Sequence, residues 1–356
     1  MKRPVVIASL LLGVTGCGTL PPTRHLACTV ATARPNLAER GSGTATLSVL
    51  TYNIEGLGWP ARQGRAPRLA EIARYLATAR ASGTAPDIVM VQEMFSGAAK
   101  KAVLATGYPA IVSGPARTAR TANAVSRKLP GRASLKRGET GFHLTGSGLA
   151  IASRYPIIAS RSQPYGRKSC AGIDCLSNKG VMLARISIPG VPVPIDLYNT
   201  HMNSRGASKA PHARNLAAHE RQALEASQFI DRTHDDSLPM IFGGDFNMRR
   251  AQDRWDNFTR HQPMTLVHWV CIDRSSGCEV RMSWDGDEPW IDTQDLQFFE
   301  SGKAVTIRPI RVEAMFDGGP SAPALSDHDG FLVTYRIDWA GGIERRPGCQ
   351  MPLGRQ

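Results

Sequence analysis

The sequence contains no internal repeat, which excludes solenoids, propellers and repeat arrays, and it has no long low-complexity tract. Its 7 cysteines include no C-x-x-C spacing, so nothing supports a cysteine zinc site. The apolar run from Val5 to Val14 is too short to cross a bilayer. What is there is a chain of 356 residues with 42% hydrophobic content, enough to build a sizeable core in one large domain or two modest ones.

Lys2 and Arg3 precede the apolar run, which is the layout of a secretory signal that is removed from the mature protein. The run ends in Val14-Thr15-Gly16-Cys17, which resembles a bacterial lipobox. That resemblance implies cleavage after residue 16 and a lipid on the sulfur of Cys17. The Gly/Thr/Pro-rich stretch that follows opens a tether over residues 17–44. Gly18 is not the Asp of an inner-membrane signal, so the expectation is an exported protein, lipid-anchored in the outer membrane and facing the periplasm.

Cys28, Cys170, Cys175, Cys271, Cys278 and Cys349 remain, an even number in an exported chain, so disulfides are the default. Six cysteines permit fifteen connectivities. The preferred one joins Cys170 to Cys175, Cys271 to Cys278, and Cys28 to Cys349, the last tying the chain ends together. The net charge of +13, or +11 once Lys2 and Arg3 are gone, favours polyanions or anionic lipid surfaces without choosing between them.

Periodicity places strands at residues 46–57, 86–95, 148–154, 180–188, 193–202, 239–247, 295–300, 304–313 and 329–338, and helices at 66–81 and 215–232. Residues 111–140 are rich in Ala, Gly, Ser and Arg and read as a basic, mobile insertion. Many strands with few interleaved helices predict an α+β domain over 45–340, sheet packed on sheet with helices outside, followed by a tail over 341–356.

Several strands end in groups suited to a hard cation. Asn53 follows an apolar run, Glu93 follows "IVMVQ", Asp245 and Asn247 follow "MIFGG", and Asp327 and His328 stand just before the last strand. In extended chain, residues two apart project to one side, so Asp245 and Asn247 are expected to point together, with Gly243 and Gly244 letting the backbone crowd a ligand or bend. Oxygen donors with few sulfur or imidazole partners suit Mg²⁺, Mn²⁺ or Ca²⁺ better than zinc. His201, at the end of "IDLYNTH", adds a titratable group in the same position.

In these residues the chain resembles the endonuclease/exonuclease/phosphatase superfamily, which includes deoxyribonucleases, abasic-site endonucleases, inositol phosphatases and neutral sphingomyelinases. The motifs are "TYNIEGL", "PDIVMVQEMF", "GSGLAIASRYPI", "YNTHM", "GGDFN", "QDLQFF" and "LSDHDGF", in the family's order. The resemblance implies a four-layer α/β sandwich of two mostly antiparallel sheets flanked by helices, acting as a monomer. It implies metal ligation by Glu93, Asn53 and Asp327, and a water oriented or deprotonated by Asp245. Asn247 would hold a phosphate oxygen or the cation, and His201 would hydrogen-bond another phosphate oxygen or protonate the leaving group. His328 would be the base or the transition-state stabiliser, oriented by Asp295, with Asp292 three residues away as the competing acid.

The segment "CAGIDCLSNKGVMLARI" resembles the neutral-sphingomyelinase-like branch at Asp174, Lys179 and Gly180, and Met94-Phe95 after Glu93 also fit it. Lys179 would approach the phosphate or pair with Asp174 as a gate. Residues 268–290, with Trp284 and Trp290, are the counterpart of a membrane-docking hairpin or part of the core. The expected function is hydrolysis of a phospholipid head group, with an exported nuclease using the basic loop as the alternative. An inactive binding module fits poorly with so complete a set of polar residues.

Overall fold

The computed structural model describes residues 42–126, 128–281, 293–319 and 323–340. Cys17, Cys28, Cys349, Trp284, Trp290 and Asp292 lie outside these residues. The chain order is β1 (Gly43–Asn53), α1 (Arg65–Ala81), β2 (Ile88–Gln92), α2 (Gly97–Ala105), β3 (Ala110–Ser113), β4 (Ala150–Ser153), β5 (Ile157–Pro164), β6 (Gly180–Ile186) and β7 (Ile195–His201). There follow α3 (His212–Thr233), β8 (Met240–Asp245), α4 (Gln252–Thr259), β9 (Thr265–Leu266), α5 (Val267–Ile272), β10 (Glu279–Arg281), β11 (Asp295–Glu300), β12 (Val305–Met315) and β13 (Gly330–Trp339).

Two mixed, mostly antiparallel sheets result. One has the order β10-β12-β13-β1-β2-β4-β3, the other β5-β6-β7-β8-β11-β9. The period of 2 along each strand explains the four layers. In β1, Leu47 and Val49 face the space between the sheets while Leu50 and Tyr52 face α1 and α2. In β8, Ile241 faces inward while Met240 and Phe242 pack with Phe229 of α3 and Trp255 and Phe258 of α4. Strands covered on both faces read as unbroken apolar runs, which is why "DIVMV" and "PMIF" are so apolar.

Near the strand ends the inter-sheet space turns polar. Asn199 of β7 donates to the carbonyls of Val91 and Ala150 across the gap at 3.1 and 3.0 Å, and accepts from Gln92 at 2.7 Å. Gln297 of β11 donates to the carbonyls of Val49 and Phe331 at 2.8 and 3.1 Å. Each such bond contributes about 1 kcal/mol net and would cost more if left unmade in this buried setting. These side chains fix the spacing of the sheets one step below the residues of interest.

Two expectations are corrected here. Gly243 and Gly244 do not make room for a ligand. A Cβ on Gly243 would lie 2.7 Å from Met90 Sδ and Thr51 Oγ1 of the facing sheet, and one on Gly244 2.3 Å from the carbonyl of Thr200. Gly243 lets the two layers close, and Gly244 lets β8 lie tight against β7. Nor is the basic stretch a free loop. Asn178 donates to the carbonyls of Ala116 and Ala119 at 2.7 and 3.1 Å, the Val125 N–H reaches Glu225 at 2.9 Å, and Arg214 holds the carbonyls of Pro130 and Gly131 at 3.0 and 3.2 Å. The disulfides Cys170–Cys175 and Cys271–Cys278 are formed.

Candidate active site

Strand register brings distant residues into one row. β7 runs parallel to β8 with His201 opposite Asp245, and β11 runs antiparallel to β8 with Asp295 opposite Asp245. All three are buried and share the inner face with Asn199, Gly243 and Gln297. Across the gap, β1 and β2 are parallel with Asn53 opposite Gln92, so Asn53 and the next residue, Glu93, leave the other sheet at the same end.

The row is joined by short contacts. Asn53 Nδ2 donates to Asp245 Oδ2 at 3.0 Å, and the Asn53 N–H lies 3.4 Å from Asp295 Oδ2. His328 Nδ1 sits 3.2 Å from Asp295 Oδ2, and its Nε2 faces Asp245 at 4.0 Å. Asp245 Oδ1 accepts the Asn247 N–H at 2.9 Å, while Asn247 Nδ2 turns to the carbonyl of Met202 at 3.3 Å. The acid and amide therefore do not simply point together, because Asn247 has left the strand in a left-handed conformation, φ 54°.

On the other flank Lys179, 5% exposed, places its ammonium 2.5 Å from Asp174 Oδ1, 3.0 Å from His201 Nε2 and 2.9 Å from the carbonyl of Met202. His201 Nε2 is also 3.3 Å from Asp245. Asp174 accepts from Ser204 N–H and Oγ at 2.8 and 2.5 Å, so the pair is a buried fixture rather than a surface turn. Asp327 is the sequence-predicted residue that stands apart. Its carboxylate is about half exposed and turns to Arg62 at 3.5 Å.

The fields in the site are uneven. Burial pushes the Glu93 carboxyl up to about 7, against the lowering effect of Lys179 and a hydrogen bond from Asn53. Burial likewise lifts Asp295 to about 6, opposed by His328. Burial alone would lower His328, but the charge and hydrogen bond of Asp295, then Asp245, raise it to about 10. His201 goes the other way, held well below 6.5 by burial and then by the charges of Lys179 and His328. One imidazole is thus cationic at neutral pH and the other neutral, the kind of separation that lets two like groups take different roles.

These residues fit a divalent cation. Asp245, Asp295 and His328 offer ligand atoms within 4.8 Å of one another, and Asp295 Oδ1 is buried without a hydrogen-bond partner among the described residues. Asp295 Oδ2 and His328 Nδ1 already engage each other, so the oxygens left to meet a cation are Asp295 Oδ1 and the carboxylates of Asp245 and Glu93, the last hydrogen-bonded by Asn53. Glu93 has φ 59°, uncommon for a side chain of its kind and typical of a site that holds a strained residue in place.

Sequence reasoning missed two supports. Ser326 Oγ donates to the Asn53 carbonyl at 2.7 Å. Arg254, fully buried, donates to the carbonyls of Asn203 and Asn247 at 2.7 and 2.8 Å and of Ser204 at 3.4 Å, and also to the Asn215 side chain. It thereby holds both the Asn247 turn and the loop after His201. Ser326 lies inside the "LSDHDGF" motif and was there to be found, whereas Arg254 reads as one charge on a short polar helix.

At one end of the two sheets, carboxylates, amides and two imidazoles in different charge states form a set suited to a divalent cation and a phosphate ester. Residues 50–328 match the Endonuclease/Exonuclease/phosphatase family, and the chain belongs to it. Over 205 residues it is 27% identical to a protein described as a putative neutral sphingomyelinase from Drosophila melanogaster, covering 56% of this chain and 39% of that one. The chain thus matches about two fifths of that relative's length. The fold is similar to sphingomyelinase C from Streptomyces griseocarneus, TM-score 0.54 at 19% identity over 82% of this chain and 99% of that one. It is similar to the same degree to D. rerio TDP2 complexed with a single-strand DNA product, TM-score 0.53 at 17% identity over 82% and 99%.

Proposed function

We propose that this chain is a divalent-metal-dependent phosphodiesterase that hydrolyses a phospholipid head group by in-line attack of an activated water, with Mg²⁺ as the cation and Mn²⁺ or Ca²⁺ as substitutes. The observation that carries the lipid reading is the buried Lys179–Asp174 pair set against His201, in the segment that resembles the sphingomyelinase-like branch. The putative neutral sphingomyelinase among its relatives supports the same substrate class. The fold neighbours, one described as a sphingomyelinase C and one complexed with a single-strand DNA product, do not choose.

Glu93 and Asn53 would hold the cation, and Asp327 would join them if its carboxylate left Arg62. The cation would withdraw charge from the phosphate oxygens as negative charge develops there. Asp245 orients the attacking water and takes its proton as the water oxygen bonds to phosphorus and the opposite P–O ester bond breaks. The departing alkoxide is protonated by His328, which Asp245 recharges across their facing atoms. His328, cationic and fixed by Asp295, stabilises the charge gathering on the phosphate. Asn247, His201 and Lys179 position the remaining phosphate oxygens, and the neutral state of His201 lets its Nε2 accept from the ammonium beside it and so hold Lys179 in place. Proton transfer and positioning of this kind contribute roughly 10²–10⁴-fold.

The test offers the purified mature protein with Mg²⁺ sphingomyelin, phosphatidylcholine, plasmid DNA and bis-p-nitrophenyl phosphate. Release of phosphocholine without nicking supports the reading. Nicking without phosphocholine release replaces it with a nuclease.

A further inference from the structure

Eight large hydrophobic residues are exposed among the described residues, and four of them lie on two touching segments: Leu135 at 73%, Phe142 at 64%, Leu144 at 60% and Ile173 at 40%. The Leu144 N–H donates to the carbonyl of Leu176 at 2.6 Å, His143 Nδ1 meets the carbonyl of Cys175 at 2.9 Å, and the Gly172 N–H reaches Glu139 at 2.9 Å. Single exposed leucines need no explanation, but four apolar side chains on one rim do. The second segment is the 3-10 turn Gly172–Leu176, which carries Asp174 and so adjoins the ammonium of Lys179.

The charges on this rim sort by direction. Lys136, Arg137 and Arg167 are exposed, whereas the acids of the same segments turn inward. Glu139 is held by Arg214 at 2.8 Å and by the N–H groups of Gly172 and Ser134 at 2.9 and 2.7 Å. Asp174 is taken by Lys179 and Ser204. The outward face is therefore cationic and apolar at once. A nucleic-acid backbone rewards the cations and gains little from exposed leucines, while an anionic bilayer rewards both. The rim is also preformed, since Arg214 and Glu139 hold it to α3, so docking orders little new chain.

We propose that loop 134–144 and the turn Gly172–Leu176 form a docking surface for an anionic lipid bilayer, with Leu135, Phe142 and Leu144 entering the acyl region and Lys136, Arg137 and Arg167 meeting phosphate head groups. The inference rests on the reading of the site as one for phospholipid head groups, and it adds where the enzyme touches the membrane.

The experiment uses the full chain with Cys17→Ser in every arm, so that no anchor contributes, and measures cosedimentation with phosphatidylcholine vesicles with and without phosphatidylglycerol. Phosphatidylglycerol should strengthen binding, and L135S/F142S/L144S should weaken it by roughly tenfold or more. K136E/R137E/R167E should remove the dependence on phosphatidylglycerol. Hydrolysis of bis-p-nitrophenyl phosphate by both variants should match that of the parent, which shows that they fold. Equal vesicle binding by the parent and L135S/F142S/L144S overturns the proposal, even where dispersed short-chain sphingomyelin is cleaved. Binding of duplex DNA that only K136E/R137E/R167E loses, with no vesicle binding by the parent, overturns it in favour of nucleic acid. Vesicle docking without cleavage of any head group leaves the surface standing and removes the substrate reading instead.

Discussion

Two histidine–carboxylate pairs sit at opposite ends of the same sheet and do different work. His234 Nδ1 lies 3.0 Å from Asp196 Oδ2 at the start of β7, and His328 Nδ1 lies 3.2 Å from Asp295 Oδ2 at the start of β11. The first carboxylate is saturated, because Arg185 clamps both its oxygens at 2.6 and 2.9 Å. The second keeps one buried oxygen without a partner, and its histidine turns Nε2 towards Asp245. The residue types and distances are nearly the same. What separates a fixture from a candidate catalytic group is the polar capacity left unmet, which a substrate or a cation could then satisfy.

The contrast predicts opposite phenotypes. Asp295→Asn should lower kcat by roughly 10²–10⁴-fold, since the amide neither holds His328 cationic nor orients it, while leaving Tm close to wild type. Removal of the cation with a chelator, or Glu93→Ala, should have at least as large an effect, restored by Mg²⁺ only where Glu93 is intact. Asp196→Ala should do the reverse, costing about 3 kcal/mol in denaturant unfolding because it leaves Arg185 unpaired, with kcat of the folded fraction unchanged. A large loss of kcat in Asp196→Ala with unchanged stability would erase the distinction.

Arg254→Lys comes next. A lysine cannot span the carbonyls of Asn203, Ser204 and Asn247 together, so kcat should fall roughly 10-fold with little change in KM, as for residues that orient others. Equal loss in both constants would make Arg254 merely structural.

The smallest effects are pH slopes of opposite sign. Glu93 has a folded pKa raised from 4.5 to about 7, so its contribution to the stability of the chelated protein is present below 4.5 and is lost as pH rises towards 7. Mg²⁺ should flatten that limb. Glu139 is the converse. Burial raises it, but the hydrogen bond from Arg214 and those from Gly172 and Ser134 more than offset this and hold it below 4.5. Its contribution is present at neutral pH and is lost as pH falls through the folded value, and Glu139→Gln should abolish that acid limb in urea unfolding.

Most of the site could be read before the fold was known, for a physical reason. Asn53, Glu93, His201, Asp245 and His328 each stand beside an apolar run, and a polar residue there marks where a buried strand opens to a cleft. The preferred pairings of Cys170 with Cys175 and of Cys271 with Cys278, two of the three chosen among fifteen connectivities, are formed. Arg254 and the pinning of residues 111–140 were not legible. Their partners are backbone carbonyls from distant loops, or charges on α3 such as Arg214 and Glu225, which helical spacing would place in solvent but which are buried. A charge whose partners include carbonyls some 50 residues away leaves no local pattern. Helix α2 was missed because its 9 residues hold too few turns to show a period.

The parallel register of β7 on β8 has one more consequence. A slip of a single residue would send His201 and Asp245 to opposite faces, so the pair tolerates no change in alignment. The crossover between them, residues 202–239, is free of that constraint. It carries the helix whose Arg214 anchors the cationic, apolar rim. Diversification of this lineage could therefore reshape where the enzyme lands by rewriting the crossover, while the two residues it connects remain in step.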